Sequence, residues 1–298
     1  MSILSSVGNT NGLLAANVIH PRFRVVLLKL GSSFLDMSKP ENLSQFFKED
    51  NKTVILPIDH GTVIPIDGLL RKPMELIEQV DNYVDGYVVN YGVAEACRDM
   101  LSNRGVCLRT DGYKPTYPGN EDEGSYRLYT AEDAEALGAH AMMNMLYLHH
   151  RRESDNFREC AAVISEGREY GIPVILEALP FNIGRPEDYT VENIGFAVRL
   201  AAELGADVVK TAYPTNGTVD DFRSIVEAAL VPVVVLGGAA MGDDTALLTM
   251  VENAMEAGAS GIAVGRNVWQ HSKPAAVAAA LQAIVHDEAN VDAALKFL

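Results

Sequence analysis

Lys210 is the residue whose neighbouring sequence most clearly predicts a chemical role. It lies near the end of the apolar run ADVVKT, where burying a charged ammonium is costly unless the charge has a purpose. Desolvation favours the uncharged amine of a lysine, and that form attacks a carbonyl carbon to make an imine. The alternative is a structural ion pair with a carboxylate at a strand end. The position of this lysine therefore predicts either a Schiff-base nucleophile or one half of a buried ion pair.

Two carboxylates end apolar runs of the same kind. Asp59 ends TVILPID, and Glu177 ends PVILE. Either can move protons while an imine forms or a carbon–carbon bond breaks. Asp59 could instead cap the turn that follows it, and Glu177 could be the ion-pair partner of Lys210. We predict that Lys210, Asp59 and Glu177 are catalytic. His60, next to Asp59, is predicted to bind substrate, with a hydrogen bond inside its own loop as the alternative.

Glycines follow the last two apolar runs and suggest an anion site. Gly237 and Gly238 follow PVVVL, and Gly265 and Arg266 follow GIAV. Glycines let backbone N–H groups approach phosphate oxygens, and an arginine adds a two-pronged donor. A tight turn without a ligand is the alternative for the glycine pair. We predict that these four residues bind phosphate.

Arg109 ends another apolar run, VCLRT, and is predicted to bind a second anionic group of the substrate. Its charge could instead help to keep Lys210 deprotonated, or it could form a salt bridge with Asp111. No metal and no cofactor are expected. His149 and His150 are adjacent, so their side chains point apart, and no further His or Cys lies near them in the sequence.

The elements that must position these residues are short apolar runs in alternation with amphipathic stretches. The eight runs are Thr53–Asp59, Gly86–Asn90, Val106–Thr110, Ala141–Leu146, Pro173–Glu177, Asp207–Thr211, Pro232–Leu236 and Gly261–Val264. Their nearly continuous apolar character is typical of parallel strands that are covered on both faces. Stretches with apolar residues three and four positions apart predict helices at Met74–Tyr83, Ala131–Leu137, Glu153–Tyr170, Val191–Leu204, Val219–Ala229 and Asp244–Ala257. Glycines that end four of these stretches predict left-handed helix caps at Gly138, Gly171, Gly205 and Gly258.

Eight strands that alternate with helices predict an α/β fold, a (β/α)8 TIM barrel with an N-terminal arm. We assign residues 1–50 to the arm, with a short helix near Asn42–Lys48, and residues 51–298 to the catalytic barrel. An open doubly wound sheet is the alternative, but no GxGxxG motif follows the first strand. The carboxyl ends of barrel strands meet at one mouth, which would bring the residues above together. The polar segment Asp111–Tyr129 is predicted to be a loop over this mouth, and Ala293–Leu298 is predicted to dock on the barrel or on another subunit.

Charge and cysteine usage limit the partners and the compartment. Acidic residues outnumber basic ones 40 to 24, for a net charge of -16, so we expect no nucleic-acid and no membrane partner. The three cysteines, Cys97, Cys107 and Cys160, are widely spaced, which favours a reducing compartment, and Cys107 is expected in the core. No apolar run is long enough to span a bilayer, and the first residues lack the pattern of a signal peptide. We therefore predict a cytoplasmic protein.

Several of these motifs resemble one known family. The chain resembles the class I aldolases that include archaeal-type fructose-bisphosphate aldolase and the autoinducer-2 aldolase or thiolase. The matching motifs are PIDHG around Asp59, ADVVKT around Lys210, LGG around Gly237, and ASGIAVGRNVWQ with Gly265 and Arg266, followed by ALQAIVH. The similarity runs from about Thr53 to Val285, which is most of the chain.

The resemblance implies a barrel, a Schiff base on Lys210, an Asp partner at Asp59 and phosphate held by Gly238, Gly265 and Arg266. It also implies a homo-oligomer built from rings, often a decamer. One position departs from the family pattern. Leu179 stands where archaeal fructose-bisphosphate aldolases and the related aromatic-precursor synthase carry an acid–base tyrosine. Glu177 is similar to the strand-end glutamate of tagatose-bisphosphate and sulfofructose-phosphate aldolases. The resemblance therefore implies another phosphorylated ketose, or a sugar-like phosphate such as the autoinducer-2 breakdown product.

The residues and the resemblance together predict a carbon–carbon lyase that cleaves or forms a bond in a phosphorylated sugar through Lys210. A transferase of the autoinducer-2 thiolase type, which passes a carbon unit to an acceptor through the same imine, is one alternative. A catalytically weak barrel that senses sugar phosphates is the other, and the joint presence of Asp59, Lys210 and Glu177 speaks against it.

Overall fold

The computed structural model describes residues 23–30, 33–112, 124–180 and 186–298, with side chains from residue 41 onward apart from that of residue 186. Before the barrel, β1 (Phe23–Leu30) and β2 (Ser33–Pro40) pair with each other as an antiparallel hairpin. A 3-10 helix, Glu41–Gln45, then stands where the sequence predicts a short helix.

Eight parallel strands close into a barrel, which confirms the predicted fold class. In chain order they are β3 (Thr53–Pro57), β4 (Gly86–Val89), β5 (Gly105–Arg109), β8 (Ala141–Leu148), β9 (Val174–Pro180), β10 (Val208–Thr211), β11 (Val233–Leu236) and β12 (Gly261–Ala263). Each strand is parallel to its neighbours in this order, and β12 pairs with β3 to close the ring. All eight apolar runs identified in the sequence become barrel strands, because a strand inside a ring of helices is buried on both faces.

Helices surround the strands. They are α1 (Pro73–Val80), α2 (Tyr91–Ala96), α3 (Arg98–Leu101), α4 (Ala131–Leu137), α5 (Glu153–Tyr170), α6 (Val191–Leu204), α7 (Val219–Glu227), α8 (Asp244–Glu256), α9 (Arg266–Trp269), α10 (Pro274–Asp287) and α11 (Val291–Ala294). Short 3-10 helices lie at His60–Thr62, Gly68–Arg71, Asp81–Tyr83, Pro186–Asp188 and Leu295–Phe297. The six predicted helices are present as α1 and α4 to α8, and all four predicted glycine caps have positive φ angles, from 66° to 102°. None of the helices in the described part of the chain combines the length and the apolarity that crossing a bilayer requires.

The loop predicted over the barrel mouth, Asp111–Tyr129, is described only at its two ends. There β6 (Asp111–Gly112) and β7 (Tyr126–Arg127) pair as a small antiparallel ladder. Residues 113–123 of this prediction lie outside the described residues. At the end of the chain, Ala294 is buried, and Leu295 and Leu298 pack against the core that the barrel shares with its helices.

Alternate residues of each strand point into the barrel, and these form an apolar core of their own. Its members are Ile55, Val88, Cys107, Ala141, Met143, Ile175, Val208, Val234 and Ala263, together with Leu43 and Phe46. Phe46 closes the amino end of the barrel against Gly86 and Gly105, where a Cβ on Gly86 would lie 2.5 Å from the Phe46 ring. The predicted core position of Cys107 is confirmed. In the described part of the chain, this packed floor closes the amino end of the barrel, and the opposite end is open to a ligand.

A charged cluster ties the last long helix to the amino end of the barrel. We call Lys48, Asp50, Asp85 and His286 the basal cluster. His286 on α10 lies 2.8 Å from Asp50 through Nδ1 and 2.9 Å from Asp85 through Nε2, and Lys48 lies 3.3 Å from Asp85. Burial lowers the pKa of His286, but the hydrogen bonds and charges of Asp85 and Asp50 outweigh it and raise the pKa above its ordinary value.

Candidate active site

The alternation of side chains along the strands places the chemical groups one layer above the apolar floor. Val208 faces the barrel interior, so Lys210, two positions later on β10, faces the same way. The same step leads from Ile175 to Glu177 on β9. Lys210 and Glu177 are also direct partners in the β9–β10 ladder. Adjacent strands thus hold an amine and a carboxylate side by side at the carboxyl end of the barrel.

Lys210 is buried, with 4% of its surface exposed, and its ammonium is paired. Its Nζ lies 2.8 Å from Glu177 Oε1, and the Met143 sulfur lies 4.0 Å below it on the apolar floor. Both predictions for Lys210 are thus compatible with its surroundings, since burial and the ion pair occur together. Glu177 is the partner that the sequence offered as an alternative to an acid–base role.

Arg109 lies behind this pair and connects three carboxylates. Its guanidinium donates to Asp111 Oδ1 at 2.5 Å and to Glu177 Oε2 at 2.6 Å, and it lies 3.5 Å from Asp59 Oδ2. Asp111 also accepts a hydrogen bond from the Met145 backbone N–H at 3.0 Å. Because the guanidinium is buried among these carboxylates, it holds them close together at the carboxyl end of the barrel.

Positive charges keep the two strand-end acids ionised. Burial raises the pKa of Glu177, but the charges of Lys210 and Arg109 outweigh it and lower the pKa to about 2. Burial likewise raises the pKa of Asp59, and the neighbouring His60, Arg109 and Lys210 reverse this and hold the pKa well below its usual range. Asp59 begins the His60–Thr62 helix but makes no side-chain capping bond, so the capping alternative does not describe it.

His60 faces the ligand side of this network. Its Nδ1 lies 3.4 Å from Asp59 Oδ1 without the geometry of a hydrogen bond, and its ring packs edge-on against Trp269 at 5.3 Å between centroids. The ring also borders Gly265, because a Cβ there would lie 3.2 Å from His60 Cε1. His60 is therefore placed between the buried carboxylate and the predicted phosphate-binding residues.

One cavity of about 840 Å³ joins the lysine to the predicted anion site. Its wall includes seven of the predicted site residues: Lys210, Glu177, His60, Gly237, Gly238, Gly265 and Arg266. Asp59 and Arg109 are not in the wall but lie behind it. Tyr189 and Tyr213 also line the cavity, and nothing in their local sequence marks them as site residues.

The glycine–arginine corner of the cavity has the features of an anion site. Gly238 has a φ angle of +65°, and Gly265 begins α9 where a Cβ would lie 2.8 Å from the Pro57 carbonyl oxygen. Arg266 Nε is buried and has no hydrogen-bond partner among the described residues. Burial lowers the pKa of Arg266, as expected for a desolvated cation that forms no ion pair with the described residues. A buried donor without a partner is costly, and an anionic ligand would satisfy it.

Asn267 braces the loop after β11 and was missed in the sequence. Its Nδ2 donates to the carbonyl oxygens of Gly237 at 2.9 Å and Ala239 at 3.3 Å, and its Oδ1 accepts from Met241 N–H at 2.8 Å. These bonds fix the course of the glycine loop relative to α9. The one signal in the sequence was its place beside Gly265 and Arg266 in the GRN motif.

The adjacent histidines after β8 lie apart from this cavity. His149 is exposed with a φ angle of +64°, and His150 is buried with its ring edge-on to Tyr147. In the described ranges, no three His, Cys, Asp or Glu side chains are grouped in a way that could hold a metal ion.

Known proteins with a similar sequence or fold identify the family. Residues 53–271 match the model of the DeoC/LacD family aldolase. The chain belongs to this family of aldolases. It is 34% identical over 261 residues to the 2-amino-3,7-dideoxy-D-threo-hept-6-ulosonate synthase of Halobacterium salinarum, covering 87% of this chain and 96% of that protein. It is 32% identical over 268 residues to the 3-hydroxy-5-phosphonooxypentane-2,4-dione thiolase of Yersinia pestis, covering 89% and 88%.

One solved structure with a similar fold shows a reaction intermediate on its catalytic lysine. An archaeal fructose-1,6-bisphosphate aldolase, with its catalytic Lys covalently bound to the carbinolamine intermediate, superposes with a TM-score of 0.73 at 30% identity. The match covers 82% of this chain and 98% of that one. The predicted membership of the Schiff-base aldolases is thereby confirmed at the level of the family.

Proposed function

We propose that this aldolase is metal-independent and forms a Schiff base through Lys210 with a phosphorylated ketose or a related sugar phosphate. One observation carries the proposal: a buried lysine opens on the same cavity as Arg266, whose buried Nε lacks a partner within the described residues. The distance between an imine and a phosphate-binding corner then selects ketones that carry a phosphate group.

In the proposed reaction, the Lys210 amine adds to the ketone carbon, and loss of water gives a protonated imine. The attacking form is the uncharged amine, so a proton first leaves Lys210, and Glu177 Oε1 lies 2.8 Å away to take it and then to give it to the hydroxyl that departs as water. Glu177 or Asp59 then removes the proton of the hydroxyl on the β-carbon. The electrons of the α–β carbon bond move towards the imine, which releases an aldehyde and leaves an enamine on Lys210. Protonation of the enamine and hydrolysis release the second product and the free amine.

The acid–base group in this proposal is Glu177, assisted by Asp59. Leu179 lies in the cavity wall at the position where the resemblance places a tyrosine in archaeal fructose-bisphosphate aldolases. A leucine cannot transfer a proton, whereas Glu177 is ionised and faces Lys210. This difference supports a substrate other than fructose bisphosphate. Gly237, Gly238 and Gly265 would offer backbone N–H groups to the phosphate, with Arg266 as its counter-ion.

Turnover of a panel of phosphoketoses tests the proposal, with release of the aldehyde as the readout. We expect cleavage of at least one compound, no loss after treatment with a chelator, and a loss of at least about 100-fold in Lys210→Met and Glu177→Gln. Asp59→Asn should lose less activity than Glu177→Gln, because Glu177 is the proposed acid–base group and Asp59 assists it. Full activity in Lys210→Met, or complete loss with the chelator that added metal restores, contradicts the proposal.

A transferase is the second candidate, and the similarity to the Yersinia pestis thiolase is the observation that favours it. Both reactions use the same imine and differ in the acceptor of the released carbon unit. Product analysis with and without coenzyme A separates them. An acyl-coenzyme A product that depends on Lys210 identifies the transferase, and an unchanged aldehyde product identifies the lyase.

We further propose a cytoplasmic homo-oligomer, with residues 1–50 as an arm outside the catalytic barrel of residues 51–298. The family match begins at residue 53, which supports this boundary. Phe196 and Leu230 are 55% and 59% exposed, and in the proposed oligomer these large apolar side chains would be buried between subunits. Light scattering on the purified chain measures the oligomer, and a monomer at micromolar concentration contradicts this part of the proposal.

A further inference from the structure

Arg109 differs from the other cations of the site in what surrounds it. It is 3% exposed, its guanidinium contacts three carboxylates, and it is absent from the cavity wall. The sequence predicts a substrate ligand here. The Arg109 guanidinium already contacts three carboxylates, so few of its N–H groups remain for an incoming anion. Arg266 Nε, in contrast, is buried and has no hydrogen-bond partner among the described residues.

The contacts of Arg109 form one continuous chain of hydrogen bonds. The Met145 backbone N–H donates to Asp111, Asp111 accepts from Arg109 Nε, and Arg109 donates to Glu177 Oε2. The other oxygen of Glu177, Oε1, faces Lys210. Within the described ranges, Arg109 is the only donor to Oε2, so Arg109 and Lys210 together fix the rotation of the carboxylate about its last bond. The Oε2 side of the acid–base group is thus tied to the backbone of β8.

We propose that Arg109 is a positioning residue, which orients the Glu177 carboxylate towards Lys210 for proton transfer and does not bind substrate. This inference rests on the proposed Schiff-base function, because Glu177 has a proton to move only if Lys210 forms an imine. A carboxylate that rotates freely presents its oxygen to Lys210 only part of the time, and misplacement by about 1 Å can cost about 100-fold in rate.

Arg109 also contributes to the charge state of Glu177. The charged groups that act on Glu177 within the described residues are Lys210, Arg109, Asp59 and Arg266, with Asp111 bound to Arg109. Loss of Arg109 removes a cation 2.6 Å from Oε2 and leaves the repulsion of Asp59 unopposed on that side. The pKa of Glu177 must then rise, because burial raises it and one of the two main opposing charges is gone.

The experiment uses dihydroxyacetone phosphate as a probe, because it can form an imine without a carbon–carbon bond being broken. Borohydride reduction of the Lys210 imine reports the first step, and exchange of a probe hydrogen with deuterated water reports proton transfer at the enamine. In Arg109→Gln we expect an unchanged half-saturation concentration, an amount of imine trapped at equilibrium within about threefold of wild type, and exchange slower by about 100-fold. The acid limb of the exchange rate should move to higher pH. Glu177→Gln should slow exchange at least as much, and adding Arg109→Gln to it should cost little more, since both act through one group.

The outcomes separate the inference from the function on which it rests. No trapping in wild type contradicts the Schiff-base function itself. Normal trapping in wild type with an unchanged exchange rate and pH profile in Arg109→Gln overturns the inference alone. A raised half-saturation concentration with normal exchange at saturation overturns it too, and assigns Arg109 to substrate binding.

Two further variants keep the inference testable if Arg109→Gln does not fold, which circular dichroism will show. Arg109→Lys keeps the charge but cannot bond Asp111 and Glu177 in the same geometry. We expect its pH profile to stay near that of wild type while exchange remains slow by about tenfold or more. Asp111→Asn weakens the far end of the chain and should slow exchange in the same direction. Wild-type exchange in both variants contradicts the positioning role.

Discussion

Replacement of Arg266 by methionine should stabilise the protein and weaken phosphate binding at the same time. Arg266 Nε is buried without a partner among the described residues, and burial lowers the pKa of the guanidinium. An unsatisfied buried donor costs about 1–3 kcal/mol, and methionine retains much of the side-chain packing without that donor. We therefore expect Arg266→Met to gain about 1 kcal/mol in free energy of unfolding, or about 2–4 °C in Tm for a chain of this size.

The same substitution removes the counter-ion of the proposed phosphate site. A hydrogen bond to a charged group contributes about 1.5–3 kcal/mol, so the Kd for phosphate should rise by about 10- to 150-fold. Thermal unfolding with inorganic phosphate measures this. At ten times its Kd, phosphate should stabilise wild type by about 1.4 kcal/mol, and at the same concentration it should stabilise Arg266→Met by less than about 0.4 kcal/mol.

Arg104→Met is the matched control. Arg104 makes two bonds of 2.9 Å to Asp81 and lies before β5, at the end of the barrel opposite the cavity. Its replacement breaks an ion pair, so Tm should fall, while the response to phosphate should stay that of wild type. A fall in Tm in Arg266→Met as large as that in this control, or full stabilisation of Arg266→Met by phosphate, would contradict an unsatisfied arginine at the phosphate site.

Three further substitutions test the site and the barrel. Gly265→Ala forces a Cβ to within 2.8 Å of a backbone carbonyl oxygen and against His60, so kcat/KM should fall by about tenfold or more, and a fall of less than twofold contradicts the close packing. Gly86→Ala places a Cβ 2.5 Å from the Phe46 ring and should cost about 1–3 kcal/mol of unfolding free energy. The double variant with Phe46→Leu should recover part of this cost, and strict additivity in urea unfolding would rule out the contact. In the basal cluster, the raised pKa of His286 means that its contribution to stability is present below its ordinary pKa and is lost as the pH rises through the raised value. The Tm difference between wild type and His286→Asn should therefore be larger at pH 5.5 than at pH 9, and a difference that grows with pH would contradict the assignment.

The barrel and much of its site could be predicted because both depend on local periodicity. Continuous apolar runs mark strands covered on two faces, and side chains two positions apart share a face. Lys210 and Glu177 lie at the ends of apolar runs, so their place at the carboxyl ends of strands follows from the sequence. Their inward direction, in contrast, is shown by the interior positions of Val208 and Ile175. The order of strands in a barrel then makes them neighbours.

Contacts that cross the barrel could not be predicted in this way. Arg109 on β5 reaches Glu177 on β9 over the intervening β8, and the choice among Asp59, Asp111 and Glu177 depends on the tilt of the closed ring. The sequence allowed the Asp111 salt bridge, but it gave no means of finding all three partners at once. The brace formed by Asn267 was missed for a related reason, because its partners are backbone carbonyls on a different loop, which carry no residue signature.

Reduction of the enzyme with borohydride during turnover tests whether Lys210 is the nucleophile. With a phosphoketose substrate, we expect mass spectrometry of the digested protein to find the reduced adduct on the Lys210 peptide, and to find no adduct in Lys210→Met. Lys273→Met, which alters an exposed lysine at the start of α10, should leave the adduct unchanged. An adduct on a different lysine, or turnover without any adduct on Lys210, would contradict the assignment of this residue as the nucleophile.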